Sequence, residues 1–320
     1  IFTSFIDLFL EPFALYESEL RVEFKINKPK FILMCPARYS TGFMMIELGR
    51  EFGVPVIDVQ SVFQSNHPRY KRTRGDVFCM MDSYQKKIHL DCFDLQPHQR
   101  IEVVGAQNIN EAQNKMAGMN AIAIRRQLGL PKDVGIITFA TQPGYTEHAC
   151  KVIEELGAAI SKENAFILLK SHPREKPHDI EAYLRSFEKA ALNKKYKIIQ
   201  KADVDEVIFA SDILITFYST VGLTAAACGK DVIAVNLIGE KMPNILGEMG
   251  IALNATSPKI FKTMIRELLN GGKASQKIAA IRADFFRKNP YYANGDVVDE
   301  VIRIASSLAT EKPSKKKKAS

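Results

Sequence analysis

The chain has 320 residues, of which 46% are hydrophobic and 25% charged, with a formal charge of +8. That length exceeds a typical single core and points to two domains, and the composition excludes a disordered or fibrous protein. The closing KPSKKKKAS holds five lysines of the positive excess, so the folded part is only mildly basic. No basic helix interleaved with aromatic residues marks a nucleic-acid partner.

The opening IFTSFIDLFLEPFALYESEL carries acids at helical intervals and lacks a basic leader, which argues against a secretory signal. It starts without Met, which raises the expectation of a truncated chain, or of one module of a longer protein with an incomplete first domain. No stretch reaches the roughly 18 to 20 apolar residues of a membrane helix. The five cysteines, Cys35, Cys79, Cys92, Cys150 and Cys228, are scattered through apolar runs and read as buried reduced thiols. No CxxC or Cys/His cluster suggests zinc.

From Lys30 onward, short apolar runs alternate with amphipathic segments, the pattern of βα units that build a parallel sheet. FILMC, VPVIDV, DVFCMM and RIEVVG read as strands, with STGFMMIELGREF and DSYQKKIHLDCF as helices between them. NEAQNKMAGMNAIAIRRQLGLPKD reads as one long helix closed by Gly129 and Pro131. The domain boundary falls there, giving a first domain over 1–125 and a second over 126–285. A new series then begins: strand VGIITFAT, helix YTEHACKVIEELGAAIS, strand AFILLK, helix DIEAYLRSFEKAAL, strand YKIIQ, helix DVDEVIFA, strand DILIT, helix TVGLTAAAC and strand DVIAVNL. Closing helices over 286–311 and a lysine tail over 312–320 finish the chain. The fold class is α/β, with two Rossmann-like domains in tandem.

In an open parallel sheet, ligands bind beyond the carboxyl ends of the strands. Three strand ends of the second series carry unusual polar residues. FATQPGYTE places Gln142 and Pro143 after the first strand, and LLKSHPRE places Lys170, His172, Pro173 and Arg174 after the second. LITFYSTVGLTAAA places Ser219 and Thr220 at a helix start, where backbone N–H groups favour an anion. Simple N-capping is the alternative for that pair, and an ordinary hydrogen-bonding role the alternative for His172. In the first series, Asp58 and Gln60 end a strand and lead into a loop with His67, Arg69 and Tyr70. Asp58 or His67 could act as a general base, or could be a turn cap and an exposed loop residue. GxxxxGK[ST] is absent, because Gly42 is followed by Phe43, and GxGxxG is absent too. Both absences argue against a P-loop nucleotidase and a nicotinamide dehydrogenase.

These stretches resemble bacterial surface-polysaccharide glycosyltransferases of the GT-B fold, over about Pro55 to Leu308. FATQP and LLKSHPRE look like the QP and HP motifs of CMP-sugar-dependent transferases such as the β-Kdo transferases. HP followed by a Ser-Ser or Ser-Thr pair is also the pattern of bacterial sialyltransferases and polysialyltransferases. SDILITFYSTVGLTAAACGKDVIAV is similar to the SDxLITxYSS segment of the CDP-glycerol glycerophosphotransferases. VPVIDVQSVFQSNHPRY resembles the strand and QHG loop of related capsule enzymes, with Gln60, Ser61 and Val62 in place of QHG, and YYANGDVVDEVIRIASSL is like their closing helix.

The resemblance implies a GT-B fold with a cleft between the domains, and inverting, metal-independent transfer of a CMP-activated acidic sugar, Kdo or a nonulosonic (sialic) acid. The acceptor is a glycan or a lipid-linked surface polysaccharide, and no cofactor is implied, since the CMP-sugar is a substrate. Gln142, Pro143, Lys170, His172, Pro173, Arg174, Ser219 and Thr220 then hold the nucleotide. His172 and the Ser219 helix start stabilise the departing phosphate, Asp58 or His67 takes the acceptor proton, and Gln60, Arg69 and Tyr70 face the acceptor. Leu223 to Ala227 lack the ribose-binding glutamate of many UDP-sugar enzymes, which tilts the donor toward CMP or CDP. The alternatives are a CDP-glycerol phosphotransferase, an enzyme of the UDP-N-acetylglucosamine 2-epimerase type, and a non-catalytic module. The expected location is the cytoplasm, with peripheral contact to the inner membrane face through Lys315, Lys316, Lys317 and Lys318 as an option.

Overall fold

The computed structural model describes residues 11–35, 40–63, 75–92, 95–192, 194–239, 242–294 and 296–310. The chain divides into two compact units, one formed by Ile1–Ala106 with Gly295–Ser320 and the other by Gln107–Asn294.

In the first unit, β1 (Ile32–Met34), β2 (Val56–Val59), β3 (Val77–Met80) and β4 (Arg100–Val103) form a parallel sheet in that order. Their apolar character suits strands covered on both faces. Val56 packs with Phe24, Ile32, Met44 and Leu48, which brings in the helices Glu11–Ile26 and Ser40–Phe52. Its neighbour Ile57 belongs to a separate cluster with Val77, Val301 and Ile304, so the helix Val297–Thr310 returns to this unit. One residue along a strand turns a side chain to the opposite face, and here both faces find a helix.

The second unit is a six-stranded parallel sheet of β5 (Gly135–Ala140), β6 (Ala165–Lys170), β7 (Tyr196–Ile199), β8 (Ile213–Thr216), β9 (Asp231–Val235) and β10 (Leu253–Ala255). The spatial order is β10-β9-β8-β5-β6-β7. The chain therefore steps outward from β5 to β7, then returns to lay β8 on the other side of β5. Ile137, Phe139, Ile167, Leu169 and Ile215 join the main core with Ile153 and Leu156 of the helix Thr146–Ile160, Tyr183 and Phe187 of Pro177–Lys189, and Phe261 and Ile265 of Pro258–Leu269. Ile136 and Leu168, offset by one residue, pack with Leu128, Leu130, Val207 and Ala210. Each fully buried side chain of this size contributes about 1.5–3 kcal/mol.

Three sequence expectations need correction. The long helix over NEAQNKMAGMNAIAIRRQLGLPKD is two helices, Gln107–Ala117 and Ala121–Gln127. Asn120, in extended conformation, accepts a hydrogen bond from Ala123 N–H at 3.0 Å and caps a new start. The units part after Ala106, not at 125/126, because both helices are tied to the second unit: Gln113 Nε2 donates to Ala227 O at 3.0 Å, and Arg125 pairs with Asp212 at 2.8 Å. Among the described cysteines, Cys79 is buried, but Cys35 is exposed and Cys150 and Cys228 are half-buried; all four are free thiols. Two short elements, the helix Ile245–Glu248 and β10, have no periodic signature at four and three residues. No described helix is long and apolar enough to cross a membrane.

Gly157 sets the spacing of two helices. A Cβ there would lie 2.7 Å from Ala190 Cβ, an atom fixed to the backbone that cannot rotate aside. Gly157→Val is expected to lower the unfolding free energy by about 1–3 kcal/mol through overpacking, read as a lower denaturant midpoint at unchanged m.

Candidate functional site at the strand-order reversal

Because all six strands of the second sheet are parallel, their carboxyl ends lie along one edge. The order reverses between β5 and β8, and a crevice opens at such a point. Gln142 follows β5, His172 follows the adjacent β6, and Ser219 follows β8. The sheet therefore brings the three sequence motifs to neighbouring strand ends.

The QP and HP motifs share one local design. Tyr145 N–H donates to Gln142 O at 3.3 Å, with Pro143 at the second turn position and Gly144 at φ +83° in the third. Proline presets the first corner and glycine alone takes the second without strain, which defines a type II turn. Glu175 N–H likewise donates to His172 O at 3.0 Å, with Pro173 second. Each motif ends its strand abruptly and leaves the first side chain of the turn at the edge.

Gln142 reaches across the reversal: its Oε1 accepts from Tyr218 N–H at 3.2 Å. Thr216 Oγ1, buried in β8, donates to Ala140 O of β5 at 3.2 Å. The Tyr218 hydroxyl donates to Tyr145 Oη at 2.8 Å, and the two rings stand edge to face at 5.8 Å. Ser219, in extended conformation, caps the helix Thr220–Ala227, its hydroxyl accepting from Val221 N–H at 3.4 Å. The first N–H groups of a helix have no carbonyl partner within it, so this end carries partial positive charge. The helix has no charged side chain in its first or last turn, and Gly222, Leu223, Thr224, Ala225 and Ala226 are buried.

His172 is half-buried and held on both sides. Its Nδ1 accepts from Arg174 N–H at 3.1 Å, which places the proton of the neutral ring on Nε2 as a donor. Its own N–H donates to Glu175 Oε2 at 2.8 Å and to Thr141 Oγ1 at 3.3 Å. Burial lowers its pKa below 6.5, the Arg174 and Lys170 charges act in the same direction, and Glu175 opposes them.

Lys170 does not present its ammonium to a ligand. It is 8% exposed and donates to Ser171 O at 3.1 Å and Gln200 O at 2.8 Å, so it braces the turn from behind. Arg174 and Pro173 are exposed beside His172, and Pro143 is half-buried. In the first unit, Asp58 lies within β2 and is 5% exposed, opposite Phe78 of β3. Gln60 is also enclosed: Oε1 accepts from Met81 N–H at 3.0 Å, and Nε2 donates to Val62 O at 3.0 Å and to Gln85 Oε1. It stitches the exits of β2 and β3 together and has no amide left for an acceptor. His67, Arg69 and Tyr70 lie outside the described residues, as do Lys315, Lys316, Lys317 and Lys318. Among the described residues no three His, Cys, Asp or Glu side chains are placed to hold a metal ion.

Sequence reasoning passed over Thr141, Glu175, Tyr183 and Gln200. Glu175, 7% exposed, accepts from Thr141 Oγ1 at 2.6 Å and from the Tyr183 hydroxyl at 2.6 Å. Gln200 Nε2 donates to His172 O and Glu175 O, each at 3.1 Å. A glutamate closing a strand-end turn was the available signal.

The two parallel α/β units in tandem make up the GT-B fold. Solved structures share the fold at low identity. A glycosyltransferase from Rickettsia africae matches at 12% identity and TM-score 0.64, over 92% of this chain and 81% of its own. S. aureus MnaA, solved with UDP, matches at 14% and 0.67, over 95% and 83%. A UDP-GlcNAc 2-epimerase from Neisseria meningitidis, solved with UDP-GlcNAc, matches at 12% and 0.64, over 91% and 80%. No curated protein matches the sequence. Residues 48–227 match the CDP-Glycerol:Poly(glycerophosphate) glycerophosphotransferase family, and the chain belongs to that family of transferase enzymes.

A depressed His172 pKa has a defined linkage sign. The neutral ring is favoured by folding, so its contribution is complete above pH 6.5 and is lost as pH falls through the lowered folded value. We expect the imidazole to titrate below 6.5 in a histidine NMR titration. Arg174→Ala, which removes one of the causes, is expected to move the midpoint back up; an unchanged midpoint contradicts the electrostatic part of this account.

Proposed function

We propose that the chain is a CMP-releasing transferase, with glycerol phosphate from CDP-glycerol as the transferred group. The acceptor hydroxyl oxygen bonds to the phosphorus that bears glycerol, the bond from that phosphorus to the bridging oxygen breaks, and CMP leaves with the electron pair. The hydroxyl proton passes to a base, for which Asp58 and His67 are the candidates from sequence; Asp58 would have to be uncovered first. Negative charge then grows on the phosphate of departing CMP. The Nε2–H of His172, the hydroxyls of Ser219 and Thr220 and the Thr220 N–H that opens the helix Thr220–Ala227 are the donors proposed to meet it. Fixed donors aimed at developing charge are the largest single contribution in many transfer reactions. Gln142 is assigned to the same seat, with its Oε1 engaged by Tyr218 and its NH2 available.

The observation that carries this reading is the family match, which runs to the end of the helix that Ser219 caps. The nucleotide-bound structures of S. aureus MnaA and the N. meningitidis epimerase support a nucleotide-linked donor in general terms. A second reading, transfer of Kdo or a sialic acid from a CMP-sugar, is favoured by the ordered QP, HP and Ser-Thr set at three adjacent strand ends. It also expels CMP, so the same donors serve it. A lipid-linked or glycan acceptor, and docking of Lys315 to Lys318 on an anionic membrane at roughly 1 kcal/mol per lysine, accompany both readings.

A melting screen with CMP, CDP, CDP-glycerol, UDP and GDP separates the possibilities. A nucleotide at 100 times its Kd that binds only the native state adds about 2.7 kcal/mol of stability. Cytidine nucleotides are expected to raise Tm and UDP and GDP to do so less; a preference for UDP would overturn the cytidine assignment. With CDP-glycerol or CMP-sugars as donor, release of CMP followed by phosphorus NMR identifies the transferred group. His172→Ala is expected to abolish release with little change in Tm. Retained release with a large loss of Tm would show His172 to be structural.

A further inference from the structure

A buried carboxylate governs the turn that carries His172. We propose that Glu175 is the positioning residue for His172, fixing both the path of its backbone and the state of its imidazole from within the second unit. This rests on the reading that His172 meets the departing phosphate only for its catalytic consequence; the positioning itself stands on geometry.

Glu175 is 7% exposed, and each carboxylate oxygen is engaged. Oε2 accepts from His172 N–H at 2.8 Å and from Thr141 Oγ1 at 2.6 Å, and Oε1 accepts from the Tyr183 hydroxyl at 2.6 Å. Its backbone N–H closes the turn onto His172 O at 3.0 Å. The same residue thus holds the turn from its main chain and its side chain. Three structural elements converge on it, the end of β5 through Thr141, the HP turn itself and the helix Pro177–Lys189 through Tyr183. Gln200 locks the outer carbonyls of the same turn.

A buried carboxylate is costly to desolvate, but its two oxygens accept from all three donors, which the single acceptor oxygen of an amide would not do in the same geometry. The charge has a second effect. Among the described residues, Arg174 and Lys170 disfavour the protonated form of the His172 ring along with burial, and Glu175 favours it. Glu175 therefore keeps the imidazole from being driven further toward permanent neutrality, while Nδ1 stays engaged by Arg174 N–H. The burial of Tyr183 and its bond to Glu175 push the phenol pKa up, so this donor keeps its proton throughout the useful pH range.

The test uses the full chain and Glu175→Gln, which keeps the shape and one acceptor oxygen and removes the charge. Imidazole NMR is expected to show His172 titrating at lower pH in the variant than in the wild type, with the Nε2–H tautomer less dominant. Turnover by CMP release is expected to fall about 100-fold through misplacement, with a smaller change in KM and an acid limb of the pH profile shifted the same way as the NMR midpoint. An unchanged midpoint and tautomer overturn the proposal, whatever happens to activity. A shifted midpoint with no CMP release in either protein leaves the positioning role standing and overturns the donor reading instead. Should the variant fail to fold, amide hydrogen exchange of the wild type decides: the His172 amide is expected to be strongly protected, and exchange as fast as that of an exposed turn overturns the proposal.

Discussion

The return of the chain from β7 to the far side of β5 is the constraint on which the site depends, because it puts the ends of β5, β6 and β8 side by side at a reversal of strand order, where open parallel sheets bind ligands. Three hydrogen bonds cross or brace this place. Thr216 Oγ1 binds Ala140 O, Gln142 Oε1 holds Tyr218 N–H, and Thr141 Oγ1 reaches Glu175 behind the HP turn. Buried polar bonds of this kind contribute about 1 kcal/mol each when made, and cost more when one partner is removed. Their value here lies in fixing where three short motifs end.

Around that edge the chemistry divides into groups aimed outward and groups spent on support. Gln142, His172, Ser219 and Thr220 are half-buried at the strand edge. Lys170, Glu175, Gln200 and Tyr183 are turned inward and satisfy the turn between β6 and the helix Pro177–Lys189. A lysine and a glutamate buried within one small network compensate each other only in part, and burial lowers the Lys170 pKa even with Glu175 nearby. The network holds the His172 backbone through Glu175, while Nδ1 accepts from Arg174 N–H. The CMP leaving group proposed above would place its growing charge on one phosphate against neutral donors and a helix start.

Much of the fold was legible because each strand of the parallel sheets is a short apolar run bounded by turn residues. Residues Ala165–Lys170, for example, are read directly from AFILLK. The long helix failed because Asn120 can cap a new helix as readily as it can sit inside an old one, and apolar spacing does not distinguish the two. The boundary failed with it: what assigns Gln107–Ala117 to the second unit is contact with residues about a hundred positions later, such as Ala227. The QP, HP and Ser-Thr motifs were found because their residue types are unusual at strand ends. Lys170 was misassigned because sequence shows that a lysine ends a strand but not that two carbonyls turn it inward. Glu175 was passed over because its role exists only through Thr141 and Tyr183, which the fold brings to it.

The most direct test is a crystal structure of the chain with CDP bound. The account predicts a phosphate oxygen within hydrogen-bond reach of the Ser219 or Thr220 hydroxyl and of His172 Nε2, with Glu175 still bound to His172 N–H. A nucleotide lodged elsewhere, with these donors untouched, would contradict it.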